Sequence, residues 1–136
     1  MSGKAKYIKN LSEILSYRMT KPEGHNRTIA LLVDKPGDDA HNISMGLCVI
    51  DPHSQIPYHA HENEEEAIYI MKGNGIAKFS DSEQKISAGS VMFCPPKVSH
   101  QIVNPNDDEL WFLFAYSPPG PEQNIRKLGQ PRPPIK

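Results

Sequence analysis

Short apolar segments separated by turn-forming residues dominate the chain from Thr28 onward. The intervening segments, among them KPGDDAHN, GNG and NPNDD, are rich in Gly, Pro, Asn and Asp. Closely spaced strands and turns of this kind are typical of an antiparallel sandwich or barrel. Several segments are apolar at both parities, which predicts that both faces of those strands are covered. The predicted strands are rich in Ile, Val, Phe and Tyr and cover residues 28–34, 43–51, 66–73, 76–80, 85–94, 100–104 and 109–117.

The two ends of the chain differ from this central region. Residues 1–27 are a polar leader in which the apolar positions of 11–19 follow a helical stripe, so we expect one short helix there. The last 20 residues hold six of the thirteen prolines, and proline cannot donate to a strand ladder. The tail over 118–136 is therefore either disordered or an extended arm on the barrel or on a second subunit. Ile125 and Leu128 favour docking.

Composition narrows the class of protein. A chain of 136 residues suits one domain, and a formal net charge of −1 argues against nucleic-acid binding. No apolar run approaches the roughly 20 residues that span a bilayer, and the N-terminus has no signal-peptide block. We therefore expect a cytoplasmic protein that does not bind membranes. Cys48 and Cys94 are too few and too far apart for a disulfide framework.

Three histidines and a glutamate are the candidate metal ligands. His59 and His61 are two residues apart, so on a strand their rings leave the same face about 6.6 Å apart. Glu66 has the opposite parity and can join them only past a turn, which the polar residues 62–65 can form. His100 follows a Pro-rich turn at the start of an apolar segment. Three imidazoles and one carboxylate suit a divalent transition metal and leave two positions open on an octahedral ion.

The spacing of these residues resembles the cupin superfamily of small β-barrels. The first cupin motif is matched by His59-x-His61, four residues, Glu66, six residues and Gly73. The second is matched by Gly89, five residues, Pro95, then His100, three residues and Asn104, and fifteen residues separate the two motifs. Two glycines of the family pattern are replaced, by His53 and Lys97, both in predicted turns where glycine supplies an unusual backbone conformation.

The resemblance implies a cupin double-stranded β-helix, or jelly-roll barrel, over about 28–117. It also implies that His59, His61, Glu66 and His100 hold one divalent ion, whether Fe, Mn, Ni, Zn or Cu. Glu65 is an alternative to Glu66, because the family spacing allows three or four residues, but the six-residue step to Gly73 favours Glu66. His53 is a distant second candidate near the barrel mouth, whereas His25 and His41 are expected to face solvent.

Several other side chains are candidates for the pocket. We expect the aromatic residues of 109–117 to lie mostly in the core, with one or two lining a pocket, although the parity of that strand is not fixed by the sequence. Tyr58 or Tyr69 is a candidate acid or base. Cys94 is expected to be a buried, inert thiol.

Similar barrels include dioxygenases, lyases, isomerases and simple ligand binders, so the function must come from the site. The favoured hypothesis is an enzyme that acts on a small chelating organic acid, keto acid or enediol at the metal. The alternative is a non-catalytic, metal-dependent binding or sensing module. A structural role fits poorly because all four ligand types are intact. We also expect a homodimer, with residues 1–30 at its interface and 117–130 as a further candidate segment.

Overall fold

The computed structural model describes residues 7–136, which form eleven strands, two short helices and one 3-10 turn. The helices are α1 Lys35–Asp38 and α2 Gln123–Leu128, and the 3-10 turn is Leu11–Glu13. None of the helices in this part of the chain is long and apolar enough to cross a membrane. The strands are β1 Ser16–Met19, β2 Arg27–Val33, β3 Ser44–Ile50, β4 Ser54–Gln55, β5 Glu65–Lys72, β6 Asn74–Phe79, β7 Glu83–Ser87, β8 Val91–Cys94, β9 His100–Asn104, β10 Leu110–Ser117 and β11 Gln130–Arg132.

The strands form two antiparallel sheets. One has seven strands in the order β11-β1-β2-β3-β10-β5-β8, and the other has four in the order β4-β9-β6-β7. A single buried cluster draws residues from both sheets, including Ile50 and Ile70 from the larger and Ala77 and Ile102 from the smaller. The core therefore lies between the sheets, as expected for a closed all-β barrel.

Alternating side chains decide which residues enter the barrel. Along β10 the side chains of Leu110, Phe112, Phe114 and Tyr116 are buried, whereas those between them are only half-buried. Along β5 the inward side chains are Glu66, Ile68 and Ile70. This period of two follows from the pleat of a strand, and it places one carboxylate at the end of an apolar row.

The helix predicted over 11–19 is wrong beyond its first turn. Asn10 caps the 3-10 turn by accepting a hydrogen bond from the Ser12 N–H, and the chain then enters β1. Ser16 is buried and donates to the carbonyl of Pro133, while Tyr17 and Met19, two residues apart, pack against the core. Pairing with β2 and β11 satisfies the backbone of this segment as a strand instead.

The Pro-rich tail is docked on its own barrel. β11 pairs with β1 in the register Ser16↔Arg132, which extends the large sheet beyond the predicted barrel strands. Ile125 of α2 packs against the core, although Leu128 is exposed. Arg126 donates two hydrogen bonds to the buried carboxylate of Asp34, and this bidentate ion pair fastens α2 to the residue that follows β2.

Candidate metal centre

His59 and His100 are brought together by direct backbone pairing. The His59 N–H donates to the His100 carbonyl at 3.1 Å, and the His100 N–H donates to the His59 carbonyl at 2.8 Å. Forty residues of sequence thus separate two rings whose centroids are 4.5 Å apart. This pairing explains how two separate motifs meet at one site.

The turn before His100 is fastened to the segment that carries His61. The Val98 N–H donates to the carbonyl of Pro95 and closes a four-residue turn, and the Lys97 N–H donates to the His61 carbonyl at 2.7 Å. Lys97 has φ 69° and His53 has φ 55°. Both residues that replace cupin-pattern glycines therefore adopt the left-handed conformation that glycine favours.

Glu66 is the carboxylate that joins the histidines. It faces inward near the start of β5 with an exposed fraction of 4%, whereas Glu65 points outward. The residues between His61 and β5 form the expected turn, which directs the side chain of Glu66 to the same side as those of the histidines. The alternative ligand Glu65 is excluded by its orientation.

One ligand atom from each of His59, His61, Glu66 and His100 lies within 4.8 Å of the others. The Nε2 atoms of His59 and His61 are 3.1 Å apart, and Glu66 Oε1 lies 2.9 Å from His100 Nε2 and 3.4 Å from His61 Nε2. Nitrogens bound at right angles to one ion, each about 2.1 Å from it, would be about 3.0 Å apart. The spacing of the four side chains therefore fits a single transition-metal ion.

Backbone carbonyls orient two of the three imidazoles. The Nδ1–H of His59 donates to the Pro57 carbonyl at 2.7 Å, and the Nδ1–H of His100 donates to the Val98 carbonyl at 3.1 Å. In a neutral ring this leaves Nε2 with a free lone pair, and Nε2 is the atom that points into the cluster. Such outer hydrogen bonds fix the tautomer and the ring plane of metal-binding histidines.

The charges of the cluster depend on one another. Burial tends to raise the pKa of Glu66, but hydrogen bonds from His100 and His61 outweigh it and the pKa is lowered. Burial tends to lower the pKa of His100, but contacts with Cys94 and Glu66 raise that pKa to about 10. Burial also lowers the pKa of His59. An ionised Glu66 and a neutral His59 are the forms that bind a metal, whereas His100 donates to Glu66 through Nε2 and would release that proton when a metal binds.

Sequence reasoning missed Tyr116. Its ring packs edge-on against His61 with centroids 4.8 Å apart, and its hydroxyl interacts with Glu66. Burial and the Glu66 carboxylate raise the pKa of this phenol, so it holds its proton. The sequence carried no clear signal for it, because Trp111 and Leu113 at the odd positions are also large and leave the inward parity of 109–117 open.

The other candidates are placed away from the cluster. Tyr58 and Tyr69, each nearly half exposed, do not line the cavity at the site, so the prediction that one of them is the acid or base gains no support. His41 and His53 face solvent and bind Asp39 and Asp107. His25 was expected to face solvent, but it is half-buried.

Cys94 is buried as predicted, but it has a neighbour that its sequence position did not reveal. It is the cross-strand partner of Glu66 and interacts with His100. The thiol is thus part of the wall behind the cluster.

A cavity of about 460 Å³ adjoins the cluster. Its inner wall includes His59, His61 and Glu66 together with the rings of Phe112 and Phe114. The tail supplies another part of the wall through residues of 121–128, and the segment around β1 and β2 contributes a third part. A volume of this size accepts a small organic molecule.

Comparison with known proteins identifies the family. Residues 46–116 match the family model described as the cupin domain. This chain belongs to the cupin family. Within its barrel, the four clustered side chains occupy the positions of the two cupin motifs, and the cluster can hold a metal ion.

The relatives of this cupin carry different descriptions. An oxalate-binding protein of Thermotoga maritima is 36% identical over 64 residues, which are 47% of this chain and 53% of that protein. An uncharacterized protein of Methanocaldococcus jannaschii is 28% identical over 76 residues, 56% of this chain and 61% of that protein. The chain thus spans about half to three-fifths of the length of these relatives.

Solved cupin structures superpose on most of the chain. The crystal structure of a predicted oxalate decarboxylase from Thermotoga maritima has a TM-score of 0.74 at 27% identity and covers 82% of this chain and 99% of that one. The polyketide cyclase RemF from Streptomyces resistomycificus has a TM-score of 0.75 at 19% identity and covers 96% and 87% of the two chains. The latter likeness shows the fold alone.

Proposed function

We propose that this cupin is a metal-dependent enzyme that acts on a small chelating organic acid. The observation that carries the proposal is the convergence of His59, His61, Glu66 and His100 in one cluster, three of whose members line a cavity of about 460 Å³. A divalent ion held there would act as a Lewis acid toward chelated oxygen atoms and, if redox-active, could activate dioxygen. The descriptions of relatives as oxalate-binding and as a predicted oxalate decarboxylase agree with an acid ligand.

The chain's own residues would prepare the site for such a ligand. The carbonyls of Pro57 and Val98 hold two imidazoles with Nε2 toward the cluster. Tyr116 keeps a hydroxyl proton beside Glu66, where it can donate a hydrogen bond to an oxyanion. Phe112 and Phe114 keep the inner cavity apolar, which strengthens electrostatic interactions inside it.

Elemental analysis of the purified, reconstituted protein tests the metal site. We expect about one equivalent of a divalent transition metal in the parent and none in the double variant His59→Ala/His61→Ala. His41→Ala, which removes an exposed histidine outside the cluster, is the matched control and should keep the metal. Equal metal content in all three proteins, or none in the parent, would refute the proposal.

A second candidate function is binding without turnover. The description of one relative as oxalate-binding, rather than as an enzyme, favours it. Incubating the metal-loaded protein with oxalate and 2-oxo acids, with and without oxygen, separates the two candidates. Loss of the acid supports the enzyme, whereas saturable binding with full recovery of every acid supports the binder.

A further inference from the structure

Arg27 is a buried cation without a carboxylate partner among the described residues. It lies at the start of β2 on the same inward face as Ile29, and its exposed fraction is 7%. Its Nη1 donates to the carbonyls of Lys21 and His25 at 3.3 and 2.5 Å. Within residues 7–136, no Asp or Glu forms an ion pair with it, and Nε and Nη2 make no hydrogen bond.

The contrast with other arginines makes this arrangement unusual. Arg18 pairs with Asp51 through both Nη atoms, and Arg126 pairs with Asp34 through Nε and Nη2, although both arginines are more exposed than Arg27. Burying a charge without a counter-ion costs free energy, and the guanidinium cannot lose its proton to avoid that cost. A site that keeps such a residue is prepared for an anion from outside the chain.

Arg27 lines the cavity of the candidate metal centre. Arg27 lines the same 460 Å³ space as His59, His61 and Glu66, and Lys21 adds a second cation to its wall. Among the described residues that line this space, Glu66 is the single acidic one. With a divalent ion at the cluster, the lining would carry a surplus of positive charge.

An apolar stretch separates the two ends of the cavity. Ile29 lies two residues beyond Arg27 on the same face, its cross-strand partner is Cys48, and Phe112 is the partner of Cys48 on the other side. The Cys48 thiol is close enough to both ends to be influenced by Arg27 and by Glu66. The carbon chain of a small acid would pack against these apolar side chains without leaving a polar group unpaired.

We infer that Arg27 binds a second carboxylate of the substrate, so that the substrate is a dicarboxylic acid with one chelating end at the cluster and a distal carboxylate at Arg27. This inference rests on the proposed function and adds a substrate class to it. The planar guanidinium can donate two parallel hydrogen bonds to a carboxylate, which a methyl group cannot accept.

Calorimetric titration of the metal-loaded protein with matched acids tests the inference. The probes are 2-oxoglutarate and 2-oxoadipate, each beside the acid that has a methyl group in place of the distal carboxylate, 2-oxovalerate and 2-oxohexanoate. In the parent we expect at least one diacid to bind tenfold or more tightly than its methyl-ended partner. In Arg27→Gln that preference should fall below twofold, while the methyl-ended acid binds as it does to the parent.

Two further variants and two further measurements control for effects on charge, folding and metal content. Arg27→Lys keeps the positive charge but loses the planar guanidinium that donates two parallel hydrogen bonds, so it should retain part of the preference for diacids. This variant replaces Arg27→Gln in the test if the glutamine variant fails to fold. Arg132→Gln, an exposed arginine on β11, is the matched control and should leave the preference unchanged. The metal content should stay near one equivalent in all variants. The urea midpoint of Arg27→Gln should equal or exceed that of the parent, because the substitution removes an unpaired buried charge.

The possible failures are distinguishable. If the metal-loaded parent binds diacids and methyl-ended acids equally, or if Arg27→Gln keeps the full preference, the inference is overturned while the metal site stands. If the parent holds metal but binds none of the four acids, both the inference and the proposed acid-binding function are overturned.

Discussion

The ion pair between Asp34 and Arg126 fastens the C-terminal tail to the barrel. Asp34 has a side chain that is 1% exposed, and it accepts hydrogen bonds from Arg126 Nε at 2.7 Å and Arg126 Nη2 at 3.0 Å. Gly37 N–H and Gln123 Nε2 donate to the same carboxylate. Asp34→Asn keeps the shape of the side chain but removes its charge and one of the two hydrogen bonds that it accepts from Arg126.

The expected cost follows from these contacts. Hydrogen bonds to charged groups contribute about 1.5–3 kcal/mol each, and breaking a buried pair costs about 3–5 kcal/mol. Arg126 is 32% exposed, so solvent screens part of the interaction and the lower range applies. We expect Asp34→Asn to lower the free energy of unfolding by about 2–3 kcal/mol, with a coupling of about 2 kcal/mol to Arg126→Met in a double-mutant cycle.

The pH dependence has a definite sign. Burial acts to raise the pKa of Asp34, but the hydrogen bonds from Arg126, Gln123 and Gly37 outweigh it, so the folded-state pKa lies below the ordinary value. A group with a lowered folded-state pKa contributes stability that is complete above its unfolded pKa of about 3.9 and is lost as the pH falls through the folded value. The difference between the parent and Asp34→Asn should therefore be constant from about pH 5 to pH 8 and shrink below about pH 4.

Urea unfolding at several pH values measures these quantities. Asp39→Asn is the matched control, because Asp39 is an exposed neighbour with φ 58°, a conformation that asparagine tolerates. It should change the stability by less than about 0.5 kcal/mol. A coupling below about 0.5 kcal/mol, or a cost of Asp34→Asn that does not decline at low pH, would refute the reasoning.

Two other predictions concern the backbone and the assembly. Lys97→Gly should raise the free energy of unfolding by about 0.5–1 kcal/mol, because Lys97 holds φ 69° in a turn with Pro96 before it, and glycine adopts that conformation without strain. Urea unfolding checks this, and a loss of stability would show that the lysine side chain contributes more than the strain costs. The homodimer stays a prediction. Sedimentation velocity at micromolar concentration should give a species of twice the mass of 15.2 kDa, and a monomer would contradict it.

The fold and the four candidate ligands could be predicted because both depend on local spacing. Alternating apolar residues and regular turns predicted the strands, and two short motifs predicted the ligand set that the structure brings together. Glu66 was chosen over Glu65 from the six-residue step to Gly73, and its inward orientation agrees with that choice.

Local pattern failed where a distant partner decides the conformation. The apolar residues of 11–19 follow a helical stripe, yet pairing of 16–19 with β2 and with β11, more than a hundred residues away, makes this part a strand. Gly46 looks like an interruption of β3, but the ring of Phe114 occupies the space where a side chain would be. Neither contact is visible in the sequence.

The sequence by itself determined the family, the barrel class and the residues that form the candidate metal centre, because each is written in short-range spacing. Tertiary structure decided which other side chains share that centre, since strands remote in sequence place both Tyr116 and Cys94 beside Glu66. It also decided that Arg27 lies in the cavity wall with no acidic partner in the part of the chain that the structure describes. Whether a charge is paired depends on what the fold brings next to it, and no spacing along the chain records that.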